Sequence, residues 1–75
     1  MKELALFVVK RLVDKPEAVS VETSQDGDVS VLRLIVDESD KGKVIGKQGK
    51  VIKAIRAVVG AAASKAGLQV DVEID

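Results

Sequence analysis

The chain contains no cysteine and no histidine. Without thiols, neither a disulfide nor a thiolate-bound zinc can staple the fold. Without imidazole, the usual transition-metal ligand and the usual side-chain base are both missing. No nucleophile–base pair can be assembled, and the few serines fall at strand, turn or cap positions. The sequence therefore reads as that of a non-enzyme with no cofactor and no metal. Phe7 is the one aromatic residue, which excludes binding by a platform of stacked aromatic rings. The apolar run Leu4–Val9 follows Glu3, is too short to span a bilayer, and is not followed by a small-residue cleavage site. These features fit a soluble, cytoplasmic protein.

Residues 1–75 are read as one domain. A chain this short buries only about 60% of its unfolded surface, so its core is small. The formal net charge is zero, but the charges are segregated. Between Lys41 and Val70 there are seven basic residues (Lys41, Lys43, Lys47, Lys50, Lys53, Arg56, Lys65) and no acidic one. The remainder holds five basic and twelve acidic residues, which gives +7 for the window and −7 for the rest. A local field of this kind steers a polyanion whatever the net charge is.

Hydrophobic spacing sets the order of elements. Met1–Asp14 carries a broad apolar arc of helical period through Leu4, Ala5, Phe7, Val8, Leu12 and Val13, with Phe7 assigned to the core, and Pro16 ends it. Ala18–Thr23 alternates as a short strand, and Ser24–Asp28, with its Asp26-Gly27 pair, reads as a hairpin turn. Val29–Val36 is nearly continuously apolar and reads as a central strand, interrupted by Arg33. Asp37–Asp40 ends that strand. Ser39 or Asp40 is placed to cap a short helix over Lys41–Ile45, with a carboxylate-only magnesium site as the alternative use of these acids. Lys50–Ala66 has apolar residues at helical spacing (Val51, Ile52, Ile55, Val58, Val59, Ala62, Ala66) facing the sheet, and Gly67 terminates it. Leu68–Asp75 alternates as a half-buried strand whose outward acids form a solvated face. The predicted order is α-β-β-α-α-β. The hairpin pairs the first two strands antiparallel, and the two-helix crossover lets the last strand run parallel to its neighbour.

Between the second and third helical segments lies Val44–Ile52, VIGKQGKVI. Gly46 and Gly49 bracket Lys47 and Gln48, with an aliphatic pair on either side. Glycine permits a sharp reversal and a close approach by another backbone. A loop that runs straight into a helix directs free N–H groups and the positive dipole end outward, which suits a phosphate. Gly42–Gln48 (GKVIGKQ) superficially follows a P-loop, but the glycine spacing is one short and Gln48 replaces the hydroxyl residue that would hold magnesium.

The aliphatic–Ile–Gly–x–x–Gly segment between two helices resembles the signature of the KH domain, and the order of elements resembles its bacterial, type II arrangement. At this length the chain resembles the small single-domain bacterial KH proteins of the KhpA family. The resemblance covers nearly the whole chain. It implies an α+β fold with helices on one face of a three-stranded mixed sheet, and binding of about four nucleotides of single-stranded RNA across the loop and an adjacent groove. Carried onto this sequence, Gly46 and Gly49 approach phosphates, Lys47 and Gln48 offer side chains to the same backbone, and Lys43, Lys50 and Lys53 extend the phosphate field. Val44, Ile45 and Ile52 form part of the groove floor, and core packing is an equal use for Ile45 and Ile52. Arg33 either reaches the groove or is a solvated, ion-paired arginine. The resemblance further implies pairing with a larger KH-containing protein and roles as an RNA chaperone in cell-wall biogenesis and cell-shape control. The preference for RNA over single-stranded DNA rests on it too.

Ala57, Gly60, Ala61 and Ser64, extended by Ala54, place small residues on the exposed side of the long helix. Such a face lets two helices approach closely, which gives a candidate homodimer interface. The rival function is a protein-interaction module of KH fold with little RNA binding of its own. An acid in the glycine loop would favour that rival, and Lys47-Gln48 does not.

Overall fold

Pro16 lacks the N–H that a continuing helix needs, and the helical run ends before it, at Val13, which is extended at φ −104° and ψ 158° rather than continuing to Asp14. In the computed structural model, which describes all residues Met1–Asp75, the first helix, α1, spans Lys2–Leu12, and Pro16–Ala18 wind into a single 3₁₀ turn. This turn delays the first strand, so β1 runs Ser20–Asp26 rather than starting at Ala18. β2 follows at Val29–Ile35. The two strands pair antiparallel from Ser20↔Ile35 to Asp26↔Val29, so pairing runs into the segment expected to turn and leaves only Gly27 and Asp28 as the loop.

A 3₁₀ turn at Glu38–Asp40 leads into α2, Lys41–Ile45. A second such turn, Lys47–Gly49, leads into α3, Lys50–Lys65, and β3 closes the chain at Gln69–Ile74. β3 pairs parallel with β2, from Val29↔Gln69 to Leu34↔Ile74, and the sheet order is β1-β2-β3. This is the predicted α+β topology, with a central β2 and a two-helix crossover. No helix is long and apolar enough to cross a membrane.

One apolar cluster joins the helices to one face of the sheet. It takes Ala5 and Val9 from α1, Val21 from β1, Leu32 and Leu34 from β2, Val44 from α2, Ile52, Ile55 and Val59 from α3, and Val72 from β3. The register follows the period of two: Leu32 and Leu34 point inward while Val31 and Arg33 point to the open face.

The two long helices differ from expectation in phase. Phe7 is 56% exposed, directly opposite the buried Ala5 and Val9, and the Arg11 guanidinium lies 4.2 Å from its ring centroid. An α1 that buries only Ala5 and Val9 leaves the aromatic residue in a cation–π pair at the surface. In α3 the buried residues are Ile52, Ile55, Val59 and Ala63. Val58 is 49% exposed and Ala66 is exposed. The apolar arc of this helix is wider than the face the sheet covers, so Val58 falls outside it.

Candidate nucleic-acid interface

The segment between β2 and α2 is fixed by two carboxylates. Of the two cap candidates, Ser39 and Asp40, Asp40 is the N-cap residue of α2, but its side chain makes no capping bond. One turn earlier the Asp37 side chain caps the 3₁₀ turn, accepting the Ser39 N–H at 3.0 Å and the Ser39 hydroxyl. These bonds hold its carboxyl below the ordinary value of 3.8, with help from Lys15 at 3.6 Å. Asp40 is buried. Its carboxylate accepts the backbone N–H groups of Asp14 at 3.2 Å and Lys15 at 3.1 Å. That contact ties the start of α2 to the segment that follows α1. Both acids are thus engaged with the protein, and no group of three or more carboxylates stands close enough to hold a metal ion.

α2 is stopped by Gly46, whose N–H closes on the Gly42 carbonyl at 2.8 Å and whose φ is 77°. The Gly49 N–H returns to the Gly46 carbonyl at 3.1 Å, and the Lys50 N–H to the Lys47 carbonyl. Gln48 sits at φ 58° and ψ 26°, and Gly49 at φ 75° and ψ 16°, two successive left-handed residues. The loop is a tight reversal that leads straight into the N-terminus of a sixteen-residue helix, the positive end of its dipole.

The two glycines are needed for different reasons. A β-carbon at residue 46 would meet Val51, whereas at residue 49 the nearest outside atom is Ile52 Cγ2 at 3.9 Å. The space above Gly49 is therefore open to an approaching backbone.

Around this loop the structure brings together Lys43, Ile45, Lys47, Gln48, Lys50 and Lys53, all exposed. Lys47, Lys50 and Lys53 make no ion pair. Lys43 pairs with Asp14, a bond that raises its pKa above 10.5 and that sequence spacing gave no means of finding. Arg56, one turn further on, is turned away: its Nε donates to the Val72 carbonyl at the free edge of β3, at 2.9 Å. Of the three aliphatic residues assigned to a groove floor, Ile45 is 37% exposed beside the loop, while Val44 and Ile52 are buried in the core. Arg33 is not brought to the loop. It lies on the open face of the sheet, opposite the helices, with Glu22 3.8 Å away.

A second apolar surface was not anticipated. Val8 and Leu12 of α1 and Val51, Ala54 and Val58 of α3 line a groove of about 300 Å³ between the two helices. Of the small residues assigned to a dimer face, Ala54 lines this groove, while Ala57, Ala61 and Ser64 are exposed further along α3 and Gly60 is half-buried. The excess width of both helical arcs was the available signal for this groove.

A family model described as the KhpA/KhpB KH domain matches residues 2–74. Proteins named RNA-binding protein KhpA are similar over nearly their whole length. The one from Clostridium perfringens is 53% identical over 99% of both chains. That from Listeria monocytogenes is 47% identical over 99% of this chain and 97% of its own. That from Chlamydia trachomatis is 43% identical over 99% and 95%. Among solved structures, Era in complex with MgGDPNP and nucleotides 1506–1542 of 16S ribosomal RNA superposes with a TM-score of 0.68 at 19% identity, over 97% of this chain. The match spans 28% of that Era chain, so it bears on the fold alone.

Proposed function

The chain belongs to the KhpA/KhpB KH-domain family, and on that premise we propose that it binds single-stranded RNA through the Gly46–Gly49 loop, as one domain and without catalysis. The observation that carries this reading is the loop itself. The open space above Gly49, at the N-terminus of α3, stands next to three cations that no protein carboxylate neutralises. A phosphate fits that arrangement. The next phosphates meet Lys50 and Lys53, and Lys43 joins them by exchanging Asp14 for RNA. Ile45 offers the exposed apolar contact for a base, while Val44 and Ile52 hold it in place from within the core. Because Arg33 lies on the far side of the sheet, the strand is bound without it. Family membership supports a role as a cytoplasmic RNA chaperone or post-transcriptional regulator working with a larger KH-containing protein.

Contacts to three or four phosphates give a salt slope of about −2 to −3 on single strands. Titration against a labelled single-stranded RNA at several salt concentrations tests this. A slope near about −5, as expected if all seven cations of the basic window were neutralised, would replace a localised clamp with diffuse attraction.

Homodimerisation is a second reading, favoured by the groove between α1 and α3. Val58 at 49% exposed and Leu12 at 38% are large apolar side chains left to solvent. The small residues Ala54, Ala57 and Ala61 beside them allow a second copy of α3 to approach closely, with Gly60 and Ser64 at the margin. Sedimentation of wild type and Val58→Asp tests it. A dimer that the substitution dissociates supports the interface, and a wild-type monomer at tens of micromolar excludes it.

A further inference from the structure

The face of the sheet that the helices leave uncovered has its own pattern. Val29, Val31 and Ile35 of β2 form a half-buried aliphatic row along its middle. In register beside that row stand Glu22 and Asp26 on β1 and Asp71 and Glu73 on β3. All four carboxylates are exposed. Arg33 is the only cation among them, so the face carries four negative charges against one positive, a net of −3. Arg33 interrupts the row, and a shallow cavity of about 190 Å³ lies there, bordered by Glu22, Val31, Arg33 and Glu73. Arg33 lies near Glu22, but Glu73 has no ion-pair partner.

We propose that this face is a docking surface for a basic amphipathic helix of another protein, occupied while RNA is held on the opposite side. The dimensions fit one helix. Adjacent strands lie about 4.8 Å apart, so the two carboxylate walls are separated by about 10 Å, the diameter of a helix with its side chains. From Val29 to Ile35 the row extends about 20 Å, the length of a helix of about thirteen residues. A helix laid along β2 with an apolar stripe downward would cover the valines and Ile35. Lysines or arginines flanking that stripe would reach both walls, and one of them would meet Glu73 in the cavity. The sign of the charge keeps RNA off this face. The partner chemistry follows from the proposed RNA binding, on which this inference rests: a polyanion gathers basic proteins, and a domain whose other face is acidic can hold one beside the RNA it grips.

The test uses a fourteen-residue amidated peptide of leucine and lysine with leucines at helical spacing, titrated into ¹⁵N-labelled protein. Shifts are expected at Val29, Val31, Arg33 and Ile35 and at their neighbours in β1 and β3, with Lys47–Lys53 unmoved. Asp71→Asn/Glu73→Gln, both exposed positions, should stay folded, bind the peptide about threefold to tenfold more weakly, and bind RNA unchanged. Equal binding of a scrambled peptide of the same composition would overturn the proposal. So would shifts confined to the Val8–Val58 groove, or concentration-dependent shifts on the sheet face without peptide, which would assign it to a second copy. Loss of RNA binding in wild type would strike the proposed function instead, and is read in a separate titration.

Discussion

Val51 closes over Gly46. A β-carbon built at residue 46 would stand 2.3 Å from Val51 Cγ2 and 2.7 Å from the Val51 backbone nitrogen. Neither atom can retreat without shifting the start of α3, and φ at residue 46 is 77°. Gly49 has a similar φ of 75° and no such obstacle. Gly46→Ala should therefore lose about 2–4 kcal/mol of stability, from backbone strain and overpacking together, and Gly49→Ala only about 1–2 kcal/mol. Urea unfolding of the two variants measures the difference. Equal losses would mean that the loop relaxes around either side chain.

Asp40 joins two elements distant in sequence by accepting the N–H groups of Asp14 and Lys15. Asp40→Ala leaves two donors without partners and should cost about 2–4 kcal/mol. Asp40→Asn, which keeps one acceptor, should cost less. Denaturant melts of the pair check this, and an alanine variant within about 0.5 kcal/mol of wild type would contradict it.

The Asp37 carboxyl titrates below 3.8 because Ser39 donates both its hydroxyl and its N–H to the charged form. A depressed folded-state pKa stabilises the fold above the unfolded value, and that contribution fades as pH falls through the folded value. It is thus complete above about pH 4–5 and lost in more acid solution. In Ser39→Ala the Asp37 titration, followed by NMR, should move up toward 3.8. An unchanged midpoint would assign the depression to the residue-39 backbone N–H and Lys15 instead of the hydroxyl.

Gly60 lies within α3, and a β-carbon there meets nothing within 4 Å. Gly60→Ala should raise stability by about 1 kcal/mol and Tm by about 4–8 °C, through helix propensity. A fall in Tm would show that close approach by another chain, not propensity, decides this position.

The sequence made the topology legible because each strand and helix carries its own period. Pro16, Asp26-Gly27 and the Gly46–Gly49 loop mark most of the boundaries. The core face of the helices was harder to place. In α1 and α3 the apolar arc is wider than the surface the sheet covers, so spacing alone put Phe7, Val58 and Ala66 inside and passed over Ala63. The loop was visible in its glycines, but the left-handed Gln48 was not, since glutamine carries no preference for that conformation. Contacts between distant segments left no local signal: Asp40 occupies the cap position of α2 but turns its carboxylate to the segment after α1, and Lys43 reads as a free cation and instead meets Asp14. Arg33 was ambiguous on its face of β2, and the pairing register with Glu22 and Glu73 resolves which surface it belongs to.

The most direct measurement compares wild type with Lys47→Asp/Gln48→Asp against a labelled random single-stranded RNA, at low and physiological salt, once both are shown to be folded. Asp tolerates the left-handed position, so the loop should keep its shape while its charge reverses. The account predicts salt-dependent binding by wild type and binding at least about tenfold weaker by the variant. Equal affinity for the two would contradict it, and would move RNA binding away from the loop to the remaining lysines of α3.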